Sequence, residues 1–286
     1  MKQVAIVTDS VACIPREQVE EYGIEVVPVQ VIFGDKAYRD GIDISPSQFY
    51  ALFRQAEKLP TTAASLPGSL LEAYRKASRR GASILCITLS AKLSGMFNAA
   101  RLAVEMAKET LPNVTIELLD CGTAAAAQGL VVLAAARAAA LGKSLTEVAD
   151  KARSVMQRVN LFAMLDTLYY LVKGGRVPKA AHWASSLLRI KPILTLAEGE
   201  VHPLAKPRTT AGAMKHILKM MEQKVVQGQP LHAAIMHADI LDEAVALRGQ
   251  ISSRFNCAEL FITEFTPVMG AHTGPGVVGV AFYSGD

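Results

Sequence analysis

Short, nearly unbroken apolar runs recur along this chain, separated by longer segments that carry helix punctuation. Gln3–Thr8, Glu25–Phe33, Ser83–Leu89 and Val114–Leu119 read as strands. Leu161–Leu165, Pro192–Leu196, Ala233–His237, Leu260–Phe265 and Val277–Tyr283 read as further strands. Several show little polar alternation, which is the pattern of a sheet covered on both faces. Between them, Ser45-Pro46-Ser47-Gln48 offers a capping hydroxyl, a proline at the first helical position and a glutamine at the third. Ser144-Leu145-Thr146-Glu147 is a capping box, and Asp239 stands where it can cap a helix running through Asp242, Glu243 and Leu247. Strands alternating with helices specify an α/β protein. The expected organisation is two α/β domains, residues 1–158 and 159–286, divided where one helix ends and a new strand begins. No Pro/Gly-rich linker marks the division, so the halves are expected to pack tightly.

Composition narrows the function. The 286 residues are 51% hydrophobic, enough for a sizeable core. Aromatics make up only 6%, with one Trp, which disfavours a carbohydrate site or a base-stacking platform. A net charge of +4 is too mild for a nucleic-acid footprint but permits a local basic patch for an acidic partner. Cys13, Cys86, Cys121 and Cys257 form no C-x-x-C pair and have no histidines at ligand spacing, so zinc and dithiol readings fail. Unpaired cysteines suit a reducing cytoplasm. The opening MKQVAIVTDS reads as a first strand rather than a signal peptide. The alanine-rich stretch from Ala124 to Leu141 contains Gln128 and Arg137, and reads as a buried helix rather than a membrane span.

Small polar residues collect at strand ends, where α/β sheets bind ligands beside the N-termini of following helices. The first strand ends in Thr8-Asp9-Ser10, the third in Ser90 with Ala91-Lys92-Leu93-Ser94-Gly95 behind it, and the fourth in Asp120-Cys121-Gly122-Thr123. Pro60-Thr61-Thr62-Ala63-Ala64-Ser65 also precedes a helix-like stretch. Thr62 and Ser94 could make one small anion site if their loops converge; equally, Thr62, Ser65 and Ser94 could serve as helix caps. Gly270-Ala271-His272-Thr273-Gly274-Pro275-Gly276 reads as a loop that lets backbone approach a ligand closely. No phosphate loop, G-x-S-x-G elbow or H-x-x-x-H pair occurs. A Ser94–His272–Asp9 triad can be assembled only on paper.

Taken in order, these motifs resemble the DegV family. Val7-Thr8-Asp9-Ser10 is similar to its opening, Thr62 with Pro67-Gly68 to its hydroxyl-bearing loop, and Ser90 to Gly95 to its S-x-x-L-S-G loop. Asp120 with Gln128-Gly129-Leu130 resembles the next strand and helix. Leu171-Val172-Lys173-Gly174-Gly175-Arg176-Val177 resembles its K-G-G-R segment, and Ile190-Lys191-Pro192-Ile193-Leu194 its K-P-I strand. Gly270 to Gly276 resembles its G-x-H-x-G-P-G segment. The chain departs from the family at Ala63-Ala64-Ser65, where S-x-P is common, and at Met96, where Thr is usual.

The resemblance implies two α/β domains with a lipid-binding cleft or tunnel between them, holding one long-chain fatty acid. It implies carboxylate contacts from Thr62 and Ser94, with His272 and Thr273 nearby. It further implies a carrier that presents the carboxylate to a separate fatty acid kinase for lipid synthesis, with no metal, cofactor or chemistry of its own. Arg176 and Arg208 are then candidates for a partner-facing surface. The alternatives are an acyl hydrolase or acyltransferase using Ser94 and His272, or a lipid-sensing regulator. Apolar walls are expected from segments such as Leu161–Leu171 and Ala180–Leu188.

Overall fold

The computed structural model describes residues 4–177 and 190–285. The expected wall segment Ala180–Leu188 and His182 lie outside the described residues. The first half of the chain runs β1 (Val4–Asp9), α1 (Arg16–Tyr22), β2 (Glu25–Val27), β3 (Gln30–Phe33), β4 (Lys36–Arg39) and α2 (Pro46–Gln55). It continues with β5 (Thr61–Ala63), α3 (Pro67–Ser78), β6 (Ser83–Thr88), α4 (Met96–Thr110), β7 (Thr115–Asp120), α5 (Ala125–Ala140) and α6 (Leu145–Arg158). The second half runs β8 (Asn160–Met164), α7 (Tyr169–Lys173), β9 (Ile193–Ala197), β10 (Glu200–Ala205) and α8 (Thr210–Lys224). β11 (Leu231–His237), α9 (Leu241–Ser252), β12 (Cys257–Glu264), α10 (Pro267–Thr273) and β13 (Val278–Ser284) complete it.

Three sheets result. A parallel sheet has the order β2-β1-β6-β7, and all six residues of β1 are buried, as two covered faces require. A small antiparallel sheet, β4-β3-β5, flanks it. Strands of the second half form one six-stranded sheet, β10-β9-β8-β13-β11-β12, in which only the β11–β12 pair is parallel.

The alanine-rich stretch becomes α5, buried on nearly every side, which packs on β1 of one sheet and on β11 and β13 of the other. Small side chains let the two sheets share one helix at close range. Gln128, polar and fully buried within it, donates to the Thr8 hydroxyl at 3.1 Å and so pins α5 to β1. The halves are also tied by the buried Thr263 hydroxyl, which donates to the Cys13 carbonyl at 2.6 Å, and by the ion pairs Arg54–Asp239 and Arg137–Glu259.

Several expectations need correction. Glu25–Phe33 is two strands in two sheets, divided around Pro28, which has no N–H to give a ladder. β4, β5 and β10 were not expected at all. The capping boxes at Ser45 and Ser144 form. Asp239 caps nothing: the helix begins after Ile240 without a side-chain cap, while Asp239 sits at φ 60° and pairs with Arg54. Ser65 is no cap either, because its hydroxyl donates to the Pro28 carbonyl at 2.6 Å. The expected wall segment Leu161–Leu171 holds most of β8 and the start of α7.

Gly129 on α5 measures how closely the elements approach. A Cβ built there would lie 2.4 Å from the Ala12 carbonyl oxygen. Helix propensity favours Gly129→Ala by about 1 kcal/mol, whereas overpacking costs about 1–3 kcal/mol. Because the obstacle is backbone, the substitution is expected to lower the denaturant midpoint; a raised midpoint would show that α5 is free to shift.

Candidate functional site

Thr62 is the middle residue of β5, an edge strand whose partner across the ladder is Val31. It therefore stands in a strand and not beside a helix N-terminus as expected. Its hydroxyl meets His272 Nε2 at 2.9 Å, across 210 residues of sequence. His272 lies on α10, so the glycine-rich segment read as a loop is helical as far as Thr273. Pro267 starts that helix at its first position, and Gly274 ends it at φ 70°. A Cβ on Gly274 would stand 2.1 Å from the Tyr170 ring, so the sharp turn needs glycine twice over.

Ser94 comes from the turn after β6. The Ser94 N–H bonds the Ser90 carbonyl at 3.3 Å, and its hydroxyl accepts the Met96 N–H at 3.3 Å where α4 begins. Capping and ligand contact are compatible here, because the hydroxyl keeps its own proton to donate. Ser90 is held from the other half: its hydroxyl donates to the Gly199 carbonyl in the β9–β10 turn at 2.8 Å. Lys92 points away toward Glu200, with Nζ 3.7 Å from the carboxylate.

Thr62, Ser94, His272 and Thr273 all line one cavity, of about 1020 Å³ including its open mouth. Both halves supply its walls, with Val11, Val29 and Leu89 from the first and Leu161, Leu194 and Val277 from the second. Among the described residues, Arg176 and Thr195 are its other polar lining, and the rest is apolar or glycine. The Thr273 hydroxyl donates back to the Met269 carbonyl at 3.0 Å, leaving lone pairs rather than a proton for a ligand.

Charge is unevenly distributed over this lining. Burial, reinforced by the neighbouring Arg176 guanidinium, pushes His272 down from its ordinary 6.5 to about 4. The imidazole is thus neutral at pH 7, and Arg176 is the one charged side chain among the described residues of the wall. Such an end accepts one anion. Arg176 was expected on a partner-facing surface, and the structure seats it half-buried in the cavity wall. Arg208 is exposed between β10 and α8, away from the lining.

The paper triad does not assemble. His272 bonds Thr62, while the Asp9 carboxylate accepts the Val11 N–H at 3.2 Å and the Leu89 N–H at 2.8 Å. Burial raises Asp9 to about 6, and its hydrogen bonds go to the Leu89 and Val11 backbone and the Gln128 side chain, none to His272. Among the described residues no cluster of three or more His, Cys, Asp or Glu could hold a metal, and no helix is long and apolar enough to cross a membrane.

Fold and cavity define an α/β protein built around a largely apolar pocket whose described lining carries a few hydroxyls, His272 and one charged side chain. Comparison with known proteins specifies it further: the family model described as "Uncharacterised protein, DegV family" matches residues 3–285. The chain belongs to the DegV family. It is 32% identical over 284 residues to a DegV domain-containing protein of Halalkalibacterium halodurans, covering 99% of each chain. It is 31% identical over 280 residues to Protein DegV of Bacillus subtilis, covering 98% of each. Among solved structures it is similar to a fatty-acid-binding DegV family protein from Thermus thermophilus, with TM-score 0.91, 29% identity and 99% of each chain covered. It is similar also to Bacillus subtilis DegV, described as a fatty acid binding protein, with TM-score 0.89, 29% identity, and 99% of this chain and 100% of that one covered.

The depressed His272 pKa makes a signed prediction. The unfolded chain takes up the histidine proton near 6.5 and the folded one only near 4. The stability contributed by neutral His272 is therefore full above the higher value and is lost as pH falls toward the lower. Wild type should lose stability relative to His272→Gln between those limits in urea titrations. Effects of other groups cancel in the difference, and parallel curves would refute the depressed pKa.

Proposed function

We propose that this chain binds one long-chain fatty acid and presents its carboxylate to a separate fatty acid kinase, acting as a cytoplasmic carrier without chemistry of its own. The observation that carries the reading is a largely apolar cavity whose described lining includes Ser94, the hydrogen-bonded pair Thr62 and His272, and a single charged side chain, Arg176. The structural relatives described as fatty-acid-binding support it. In this reading residues 1–158 and 159–286 are the two lobes that close on the ligand, and binding requires no metal or cofactor.

Magnitudes divide the work between tail and head. Burying a methylene contributes about 0.8 kcal/mol, so fourteen give a gross figure of roughly 11 kcal/mol before ordering costs. Taking a carboxylate out of water costs several kcal/mol, and each charge-assisted hydrogen bond returns about 1.5–3 kcal/mol. Two or three such bonds roughly offset the desolvation. The tail supplies affinity, and Thr62, Ser94 and the α10 residues fix which way the head points. Arg176 balances the head-group charge, and exposed Arg208 is left for an acidic partner surface.

Native mass spectrometry of the purified protein should show one added mass in the range of common fatty acids. The double variant Thr62→Ala, Ser94→Ala should stay folded and bind palmitate about 2–5 kcal/mol more weakly. Supplied with a fatty acid kinase and ATP, the loaded wild type should yield acyl phosphate. No bound lipid even after incubation with palmitate, or unchanged affinity in the double variant, would remove the reading.

A further inference from the structure

Ser90 makes more bonds than its own turn requires. It is 1% exposed and stands outside the cavity lining. Its N–H donates to the Thr123 carbonyl at 2.9 Å. Its carbonyl accepts the Leu93 N–H at 3.0 Å and the Ser94 N–H at 3.3 Å, and so closes the turn that presents Ser94. Its hydroxyl accepts the Lys92 N–H at 3.2 Å and donates to the Gly199 carbonyl at 2.8 Å, 109 positions further on. The last of these bonds crosses to the second half of the chain.

Gly199 sits at the tip of the β9–β10 hairpin. Glu198 and Gly199 have φ of 53° and 79°, the left-handed pair whose twist suits a two-residue hairpin turn. Connecting turns run over the surface as a rule, whereas Gly199 is buried, and a Cβ there would stand 2.7 Å from the Ser90 Oγ. Within its own sheet the hairpin is held over a short stretch. β9 pairs with β8 at Ile193 and Leu194, while its ladder with β10 runs on to Ala197. The tip is held by the first half instead, through Ser90 and through Lys92, whose Nζ lies 3.7 Å from Glu200. A tip so anchored offers the Ser90 hydroxyl a fixed acceptor. The same hydroxyl oxygen fixes the Lys92 N–H, two residues before Ser94.

We propose that Ser90 is a positioning residue for the head-group site: its bond to the Gly199 carbonyl anchors the turn that carries Ser94 and holds the Ser94 hydroxyl at the cavity. The inference rests on the reading of Thr62, Ser94 and His272 as the carboxylate site. Its signature is dependence on Ser94, because Ser90 reaches the ligand only through that hydroxyl.

The test is a double-mutant cycle in palmitate affinity over wild type, Ser90→Ala, Ser94→Ala and the double variant, with urea titration confirming that each is folded. Ser90→Ala should bind palmitate roughly 2- to 10-fold more weakly, the range that one hydrogen bond spans. In the Ser94→Ala background the same change should cost less than about 2-fold, the scatter of independent sites. Gly199→Ala reaches the same bond from the other half and serves where Ser90→Ala fails to fold. It should weaken palmitate over a like range, and again only while Ser94 is present. Wild-type affinity in Ser90→Ala and Gly199→Ala, or an equal loss with and without Ser94, would overturn the positioning role. Should Ser94→Ala itself bind palmitate as wild type does, the carboxylate-site reading has failed, and the role of Ser90 falls with it.

Discussion

A hydrogen bond between two side chains 210 residues apart, Thr62 on an edge strand and His272 on a short helix, joins the first half of this chain to the end of the second. Burial, and then the neighbouring Arg176 guanidinium, disfavour the imidazolium, so the bond is made by a neutral ring. The site therefore keeps one positive charge and a set of neutral donors. On the proposed reading, a single carboxylate neutralises that charge and completes the set.

The cavity exists because two sheets meet over a helix made mostly of alanine. α5 is thin enough to be shared; Gln128 fixes it to β1, and the Thr263–Cys13 bond ties the second sheet to the turn after β1. The walls that remain come from both halves, so neither half alone encloses the space. The polar end is likewise composite: β5 and the turn before α4 come from the first half, and α10 from the second. On the proposed reading, specificity for an anion and room for a tail thus depend on one docking arrangement.

Much of this was legible in the residues. Long apolar strands declared themselves by their runs, and the Ser45 and Ser144 boxes by capping chemistry. The alanine stretch announced a buried helix. What escaped were elements whose stability is borrowed. β4 is a largely exposed KAYR, β5 is three residues long, and β10 contains a proline; none has a period to read. α10 hides among glycines, and Thr266 at its N-cap position makes no capping bond that a sequence could announce. Thr62 and Ser94 stand out as hydroxyls near strand ends and His272 within a glycine-rich segment, but only the ordered family resemblance joins the three, since no spacing in a sequence brings them together. Arg176 was named too but given an outward role, because a Gly-Gly-Arg run does not say which way its guanidinium turns.

The most direct test is a crystal structure of the protein with a fatty acid brominated at its terminal carbon, located by anomalous scattering. The account predicts one bromine peak among the apolar walls and a carboxylate within hydrogen-bond reach of Thr62 and Ser94. A reversed ligand, with bromine at the Thr62–His272 end, or a fatty acid bound outside this cavity, would contradict it.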